Sequence, residues 1–141
     1  QLSGGAGNDT LTGGAGNDTY EFARDDGQDL INNIGAGASN DKVNFGAGIN
    51  TDQLWFSQSG SDLLVSIIGS EDHVSIDDWY LDAGANQVAE FKTSSGSGLI
   101  AANVENLVSA MAAFSPPAFG VTELSQTLHD NLDSVIAANW Q

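Results

Sequence analysis

The chain has no cysteine among its 141 residues, which excludes disulfides and thiolate metal sites alike. Basic residues are nearly as scarce. Arg24, Lys42 and Lys92 are the only three and lie scattered, so a nucleic-acid-binding surface has no charge to build on and an anionic membrane is a poor partner. With two histidines, His73 and His129, a zinc site would have to lean on carboxylates. No apolar run approaches the length of a bilayer, which predicts no transmembrane segment. The first residues also lack the basic-then-apolar pattern of a signal peptide. Gln1-Leu2-Ser3 reads instead as the end of a preceding repeat, and the expectation is of a piece of a longer protein. What the chain has in excess is acid: 19 Asp and Glu give a formal charge of −16. Cations are the partners such a chain invites.

The N-terminal stretch repeats itself. GGAGNDT begins at Gly4 and again at Gly13, nine residues later. In each unit an apolar residue follows the aspartate by two positions, Leu11 after Asp9 and Tyr20 after Asp18, and Leu2 stands where a preceding unit would place its own. The phase persists after the glycines thin out, with Ile31 following Asp29 in RDDGQD and Val43 following Asp41 in AGASND. The chain therefore holds two regular units and two degenerate ones.

A period of nine is too short for helical repeats and suits a turn followed by a short strand with one side chain pointing inward. One buried Leu or Tyr per unit is little return for ordering nine residues, several of them glycine. Stacking Asp above Asp makes the balance worse. A bound cation removes both difficulties, and turns offering only carboxylate and carbonyl oxygens suit a hard ion, calcium rather than magnesium where the cage is flexible. A flexible Gly-rich linker or a solvated acidic face is the plainer alternative, but neither needs an apolar residue in fixed phase behind an Asp.

Gly4–Thr12 and Gly13–Glu21 resemble the G-G-x-G-x-D-x-U-x nonapeptide of the repeats-in-toxin (RTX), haemolysin-type calcium-binding family. YEFARDDGQDLI resembles the exit from such a block. The runs DKVNFGAGI, DQLWFSQSGSDLLVSI and DHVSIDDWY are similar to the related region that commonly follows. The resemblance implies a short parallel β-roll with Ca²⁺ between stacked turns. It implies one site in which Gly5, Gly7 and Asp9 face Arg24, Asp26 and Asp29, and a second in which Gly14, Gly16 and Asp18 face Ala36, Ala38 and Asp41. The glycines, Arg24, Asp26, Ala36 and Ala38 would contribute carbonyl oxygens. Stacked aspartates in a regular roll are two nonapeptides, eighteen residues, apart. Here the spacings are twenty and twenty-three, and the second implies a bulge around Asn32–Gly35.

After residue 45 the pattern changes. DQLWFS, DLLVSII and HVSIDDWY predict a small antiparallel β cap with Trp55, Phe56, Trp79 and Phe91 in its core, and QVAEFKT predicts one more strand. Asp52, Asp62 and Asp72 recur at a spacing of ten and read as turn residues. Ser94–Gly98 reads as a linker. Beyond it, Val104, Leu107, Val108, Met111 and Ala112 form one helical stripe, stopped by Ser115-Pro116-Pro117. Leu124, Leu128, Leu132, Val135 and Ile136 form another, with Thr122 as N-cap. The fold expected is mainly β, in three parts: a β-roll over 1–45, a β cap over 46–93 and a helical tail over 94–141. The tail has two compatible readings, helices packed on the domain and, through the family resemblance, an export signal read by the type I secretion apparatus.

No catalytic constellation emerges. His73, Ser75, Asp77 and Asp78 are adjacent along one segment, which does not make them converge in space. His129 beside Asp130 reads as a solvated surface pair. GGAGND lacks the Lys and Ser/Thr of a phosphate-binding loop. The acid pairs Asp25/Asp26 and Asp77/Asp78 come with no sign of a substrate cleft. The reading is a non-enzymatic, extracellular calcium-binding module that folds on secretion. The alternative is a calcium-stiffened adhesion segment whose aromatic cap binds a ligand.

Overall fold

The structure is a computed structural model that describes residues 2–33, 40–81 and 86–141. In the repeats, nine residues leave room only for a turn and a brief extended run, and the strands are correspondingly short. β1 (Leu2–Ser3), β2 (Thr10–Leu11), β3 (Thr19–Phe22), β4 (Gln28–Ile31) and β5 (Lys42–Phe45) alternate between two sheets. β1, β3 and β5 pair in parallel in one sheet, and β2 and β4 pair in parallel in the other. Leu2 lies beside Tyr20, two nonapeptides on. Thr10 beside Leu30 and Thr19 beside Lys42 take up the two longer spacings without loss of register. Of the segment expected to bulge, Asn32 and Asn33 are described and Ile34 and Gly35 lie outside the described residues.

The residue two places after each Asp faces the interior, because a strand sends alternate side chains to opposite faces. Register then lines these residues up. Leu2, Tyr20, Val43, Phe91 and Leu99 form one row across the first sheet, and Leu11, Ile31, Ile76 and Leu63 form the other. All but Leu2, which is partly buried, belong to the buried core.

A 3₁₀ turn (Thr51–Gln53) then leads into β6 (Leu54–Ser59), β7 (Asp62–Ile67) and β8 (His73–Ile76), an antiparallel meander. Its strands extend the sheets of the repeats. β8 lies parallel to β4, and β9 (Glu90–Lys92) lies parallel to β5. The expected linker at Ser94–Gly98 is instead a tight hairpin turn from β9 to the antiparallel β10 (Gly98–Ile100), with Thr93 N–H bonded to the Ser97 carbonyl at 2.9 Å. Gly96 at φ 97° explains the difference: glycine supplies a left-handed turn residue as readily as it supplies flexibility.

Phe91 is the centre of the aromatic core, with ring centroids 6.2 Å from Phe45, 5.7 Å from Phe56 and 5.8 Å from Trp79. Trp55 is buried with them. Helix α1 (Ala101–Met111) buries Val104, Leu107, Val108 and Met111, while Ala112 lies just past its end and is exposed. The helix stops four residues before Ser115-Pro116-Pro117. Helix α2 (Gln126–Asn139) is capped by Ser125 rather than Thr122. The Ser125 hydroxyl accepts the Leu128 N–H at 3.3 Å, whereas the Thr122 carbonyl is taken by the Gln53 side chain, outside any helix.

Helix α1 and Gln141, just past α2, protect sheet edges that would otherwise be open to pairing. On α1, Met111 Sδ accepts the Phe56 N–H of edge strand β6. At the other sheet's edge, Gln141 and Gly98 exchange backbone hydrogen bonds of 2.8 and 3.0 Å, and Trp140 beside it packs 6.1 Å from Phe56. The tail is thus integral to the fold.

Candidate metal centre

Three turns of the repeat region share one backbone form. Their second and fourth residues are left-handed: Gly5 and Gly7 at φ 73° and 119°, Gly14 and Gly16 at 76° and 106°, Asp25 and Gly27 at 68° and 94°. RDDGQD is therefore a third unit in conformation although it retains one glycine. The turns 4–9 and 24–29 stack closely enough that a Cβ on Gly27 would run into the Gly7 carbonyl.

Stacking brings the predicted aspartates together in pairs. The Asp9 N–H donates to Asp29 Oδ1 at 3.0 Å, and the Asp18 N–H donates to Asp41 Oδ1 at 2.7 Å. The carbonyls of Asp9 and Asp18 meanwhile accept from Leu30 and Lys42, which ties each carboxylate to the start of a parallel ladder. Asp29 is 2 % exposed and Asp41 fully buried.

The remaining oxygens decide the chemistry. Asp9 Oδ2, Asp18 Oδ2 and Asp29 Oδ2 are buried and have no hydrogen-bond partner among the described residues. Carboxylate oxygens shut away from water without a donor or a cation are strongly unfavourable. The two ion pairs among the described residues, Lys42 with Glu90 and His129 with Asp133, supply nothing to them. The strain is visible at Asp29. Burial pushes its carboxyl above the usual carboxylate range against the opposing Asp9 N–H, and repulsion from Asp9, Asp26 and Asp72 adds to the rise.

Two further glycines of the repeat, Gly4 and Gly13, make room for these carboxylates. A Cβ on Gly4 or Gly13 would collide with the carboxylate of Asp9 or Asp18 respectively. At Gly13 the Tyr20 hydroxyl is also close, accepting the Gly13 N–H at 3.1 Å and donating to Asn33 Oδ1 at 3.0 Å. Burial is the main reason the Tyr20 hydroxyl holds its proton more tightly than usual, with Asp41 and Asp18 reinforcing it. The repeated asparagine was equally legible. Asn8 Oδ1 accepts from Gln28 N–H at 3.1 Å and Asn17 Oδ1 from Asn40 N–H at 3.0 Å, bracing turn upon turn.

The other predicted residues have separate partners. The Arg24 guanidinium donates to the Gly48 carbonyl at 3.2 Å, and Asp26 Oδ2 accepts the Ala23 N–H at 2.9 Å. Ala36 and Ala38 lie outside the described residues. Farther along, Asp72 is buried against the 24–29 turn, while the carboxylates of Asp62, Asp77 and Asp78 come within 4.8 Å of one another. Asp62 Oδ1 already accepts the Asp78 N–H at 2.8 Å. His129 pairs with Asp133 one helical turn on rather than with Asp130, because residues four apart share a helix face. His73 makes no hydrogen bond to Ser75, Asp77 or Asp78.

Residues 1–29 match the RTX calcium-binding nonapeptide repeat family (4 copies). Residues 62–101 match the haemolysin-type calcium binding protein related domain. The chain carries RTX-type calcium-binding repeats. Its cofactor is Ca²⁺, and an all-oxygen donor set with three buried, undonated carboxylate oxygens fits that hard cation. The RTX repeats are calcium-binding structural elements. No helix among the described residues is long and apolar enough to cross a membrane.

Proposed function

We propose that this RTX chain is the calcium-dependent folding and export module of a larger secreted protein. In this reading its alternating parallel strands are the two sides of a short β-roll over residues 1–45. Residues 46–93 cap the roll, and residues 94–141 form the helical tail. One ion sits between turns 4–9 and 24–29, held by carbonyls of Gly5, Gly7, Arg24 and Asp26 with the carboxylates of Asp9 and Asp29. A second sits above turn 13–18, held through Gly14, Gly16, Asp18 and Asp41, with carbonyls of Ala36 and Ala38.

The supporting observation is the set of buried carboxylate oxygens on Asp9, Asp18 and Asp29 with no hydrogen-bond donor among the described residues. Where calcium is scarce, their repulsion keeps the repeats unfolded and able to thread a type I secretion apparatus. Outside the cell, sites of about 10⁻⁴–10⁻³ M affinity suffice. Binding is then coupled to folding, since an unfolded chain holds no preformed site. The adhesion reading gains no support, because Trp55, Phe56, Trp79 and Phe91 are all in the core.

Two experiments test this reading. Circular dichroism during calcium titration should show a cooperative gain of strand signal, weakened by Asp9→Ala and by Asp18→Ala. Identical spectra in calcium and in EGTA refute it. Fusing residues 94–141 to a passenger should direct type I export, and a fusion retained in the cytosol removes the export half of the proposal.

A further inference from the structure

Turn 24–29 keeps the left-handed form of the glycine turns although Asp25, at φ 68°, replaces one glycine. A side chain with a Cβ adopts that form unwillingly, so something else must hold it. One carboxylate does. Asp72 Oδ2 accepts the Asp25 N–H at 2.9 Å, and Asp72 Oδ1 accepts the Gly27 N–H at 3.1 Å, from 47 and 45 residues away. Both oxygens are spent on the two left-handed residues of the turn.

Asp72 is itself fixed. It is 8 % exposed, the Ser70 hydroxyl takes its N–H at 3.2 Å, and its carbonyl receives the Ile67 N–H at 3.0 Å. The next residue, His73, donates its N–H to the Gly27 carbonyl at 3.0 Å. The connection between β7 and β8 therefore grips the turn that carries Asp29. Turns 4–9 and 13–18 receive no such carboxylate among the described residues and rely on glycine at both left-handed positions.

We propose that Asp72 is the positioning residue of the Asp9–Asp29 calcium site. It locks turn 24–29 in its left-handed form, holds Asp29 over Asp9, and makes this site depend on formation of the β7–β8 hairpin. The inference rests on the calcium reading above.

The test is isothermal titration of the full chain with Ca²⁺, comparing wild type with Asp72→Ala and the near-isosteric Asp72→Asn. Loss of two charge-assisted hydrogen bonds should weaken binding at one site by about tenfold or more in Asp72→Ala, and by less in Asp72→Asn. Adding Asp25→Gly to Asp72→Ala should recover part of the loss, since glycine needs no clamp. In an Asp9→Asn background, Asp72→Ala should change nothing further, because the site it serves is already gone. Amide exchange at Asp25 and Gly27 should accelerate in Asp72→Ala, with calcium or without. Tryptophan fluorescence reports whether the hairpin still folds, and Asp72→Asn serves where Asp72→Ala does not. Wild-type affinity in both variants overturns the proposal, as does equal weakening of both sites or failure of Asp25→Gly to restore binding. A wild-type chain that binds no calcium overturns the parent reading instead.

Discussion

Residues 2–33 and residues 54–140 stack strands with different materials. In the first region each strand contributes one or two inward side chains, and the turns bury carboxylates against one another. In the second, Phe56, Trp79, Phe91 and Trp140 interlock with two helices, and carboxylates stay mostly at the periphery. Yet β4 with β8 and β5 with β9 continue the same two sheets. On the proposed function, cohesion by hydrocarbon and cohesion by cation meet within one pair of sheets, and perturbations should separate them.

The largest expected effect is in the hydrocarbon part. Phe91→Ala removes the ring that Phe45, Phe56 and Trp79 surround and should cost about 3–5 kcal/mol in urea unfolding at saturating calcium. Raising calcium further should not restore it. Asp18→Ala should act the other way round. At a calcium concentration a hundred times the Kd it should forfeit about 2.7 kcal/mol for one lost ion, and in EGTA it should cost little.

Acid sharpens the contrast in the repeat region. The folded pKa of Asp29 is raised, so its ionisation opposes folding. Its protonation correspondingly favours folding, a stabilisation fully present below the unfolded value and lost as pH rises through the raised one. In EGTA, strand signal should therefore be firmest at the acid end of the carboxylate range and fade as pH climbs, and Asp29→Asn should flatten the profile. In calcium the dependence should invert, because protons and the ion compete for one carboxylate. The smallest effect belongs to the tail. Ser125→Ala removes the α2 cap and should cost about 1 kcal/mol in thermal unfolding, equally with and without calcium.

Much of the repeat region was legible because its information is local and periodic. The Asp-to-apolar interval placed Leu11, Tyr20, Ile31 and Val43 in the core and set the pairing offsets directly. The spacings of twenty and twenty-three between aspartates reappear as the separations bridged by the Asp9–Asp29 and Asp18–Asp41 hydrogen bonds. Gly4, Gly13 and Asn8 carried the same period, but their roles depend on what a neighbouring turn presses against them. Asp72 was legible as a turn residue, ten positions after Asp62, but its role as a clamp was not, since its partners stand 45 and 47 residues away. The hairpin at Ser94–Gly98 was missed for a related reason. Gly and Ser read alike in a linker and a tight turn, and only the strand waiting at β10 distinguishes them. The same holds for Gln141, whose pairing with Gly98 is invisible until both sheet edges exist.

The central claim is that calcium, not hydrocarbon, holds the repeat turns in place. Residue-resolved hydrogen exchange of the full chain, in calcium and in EGTA, tests it most directly. The ladder amides of Leu30, Asn32 and Lys42 should be protected in calcium and exchange freely in chelator, with a far smaller change across β6 and β7. Equal protection of those three amides in both conditions would contradict it.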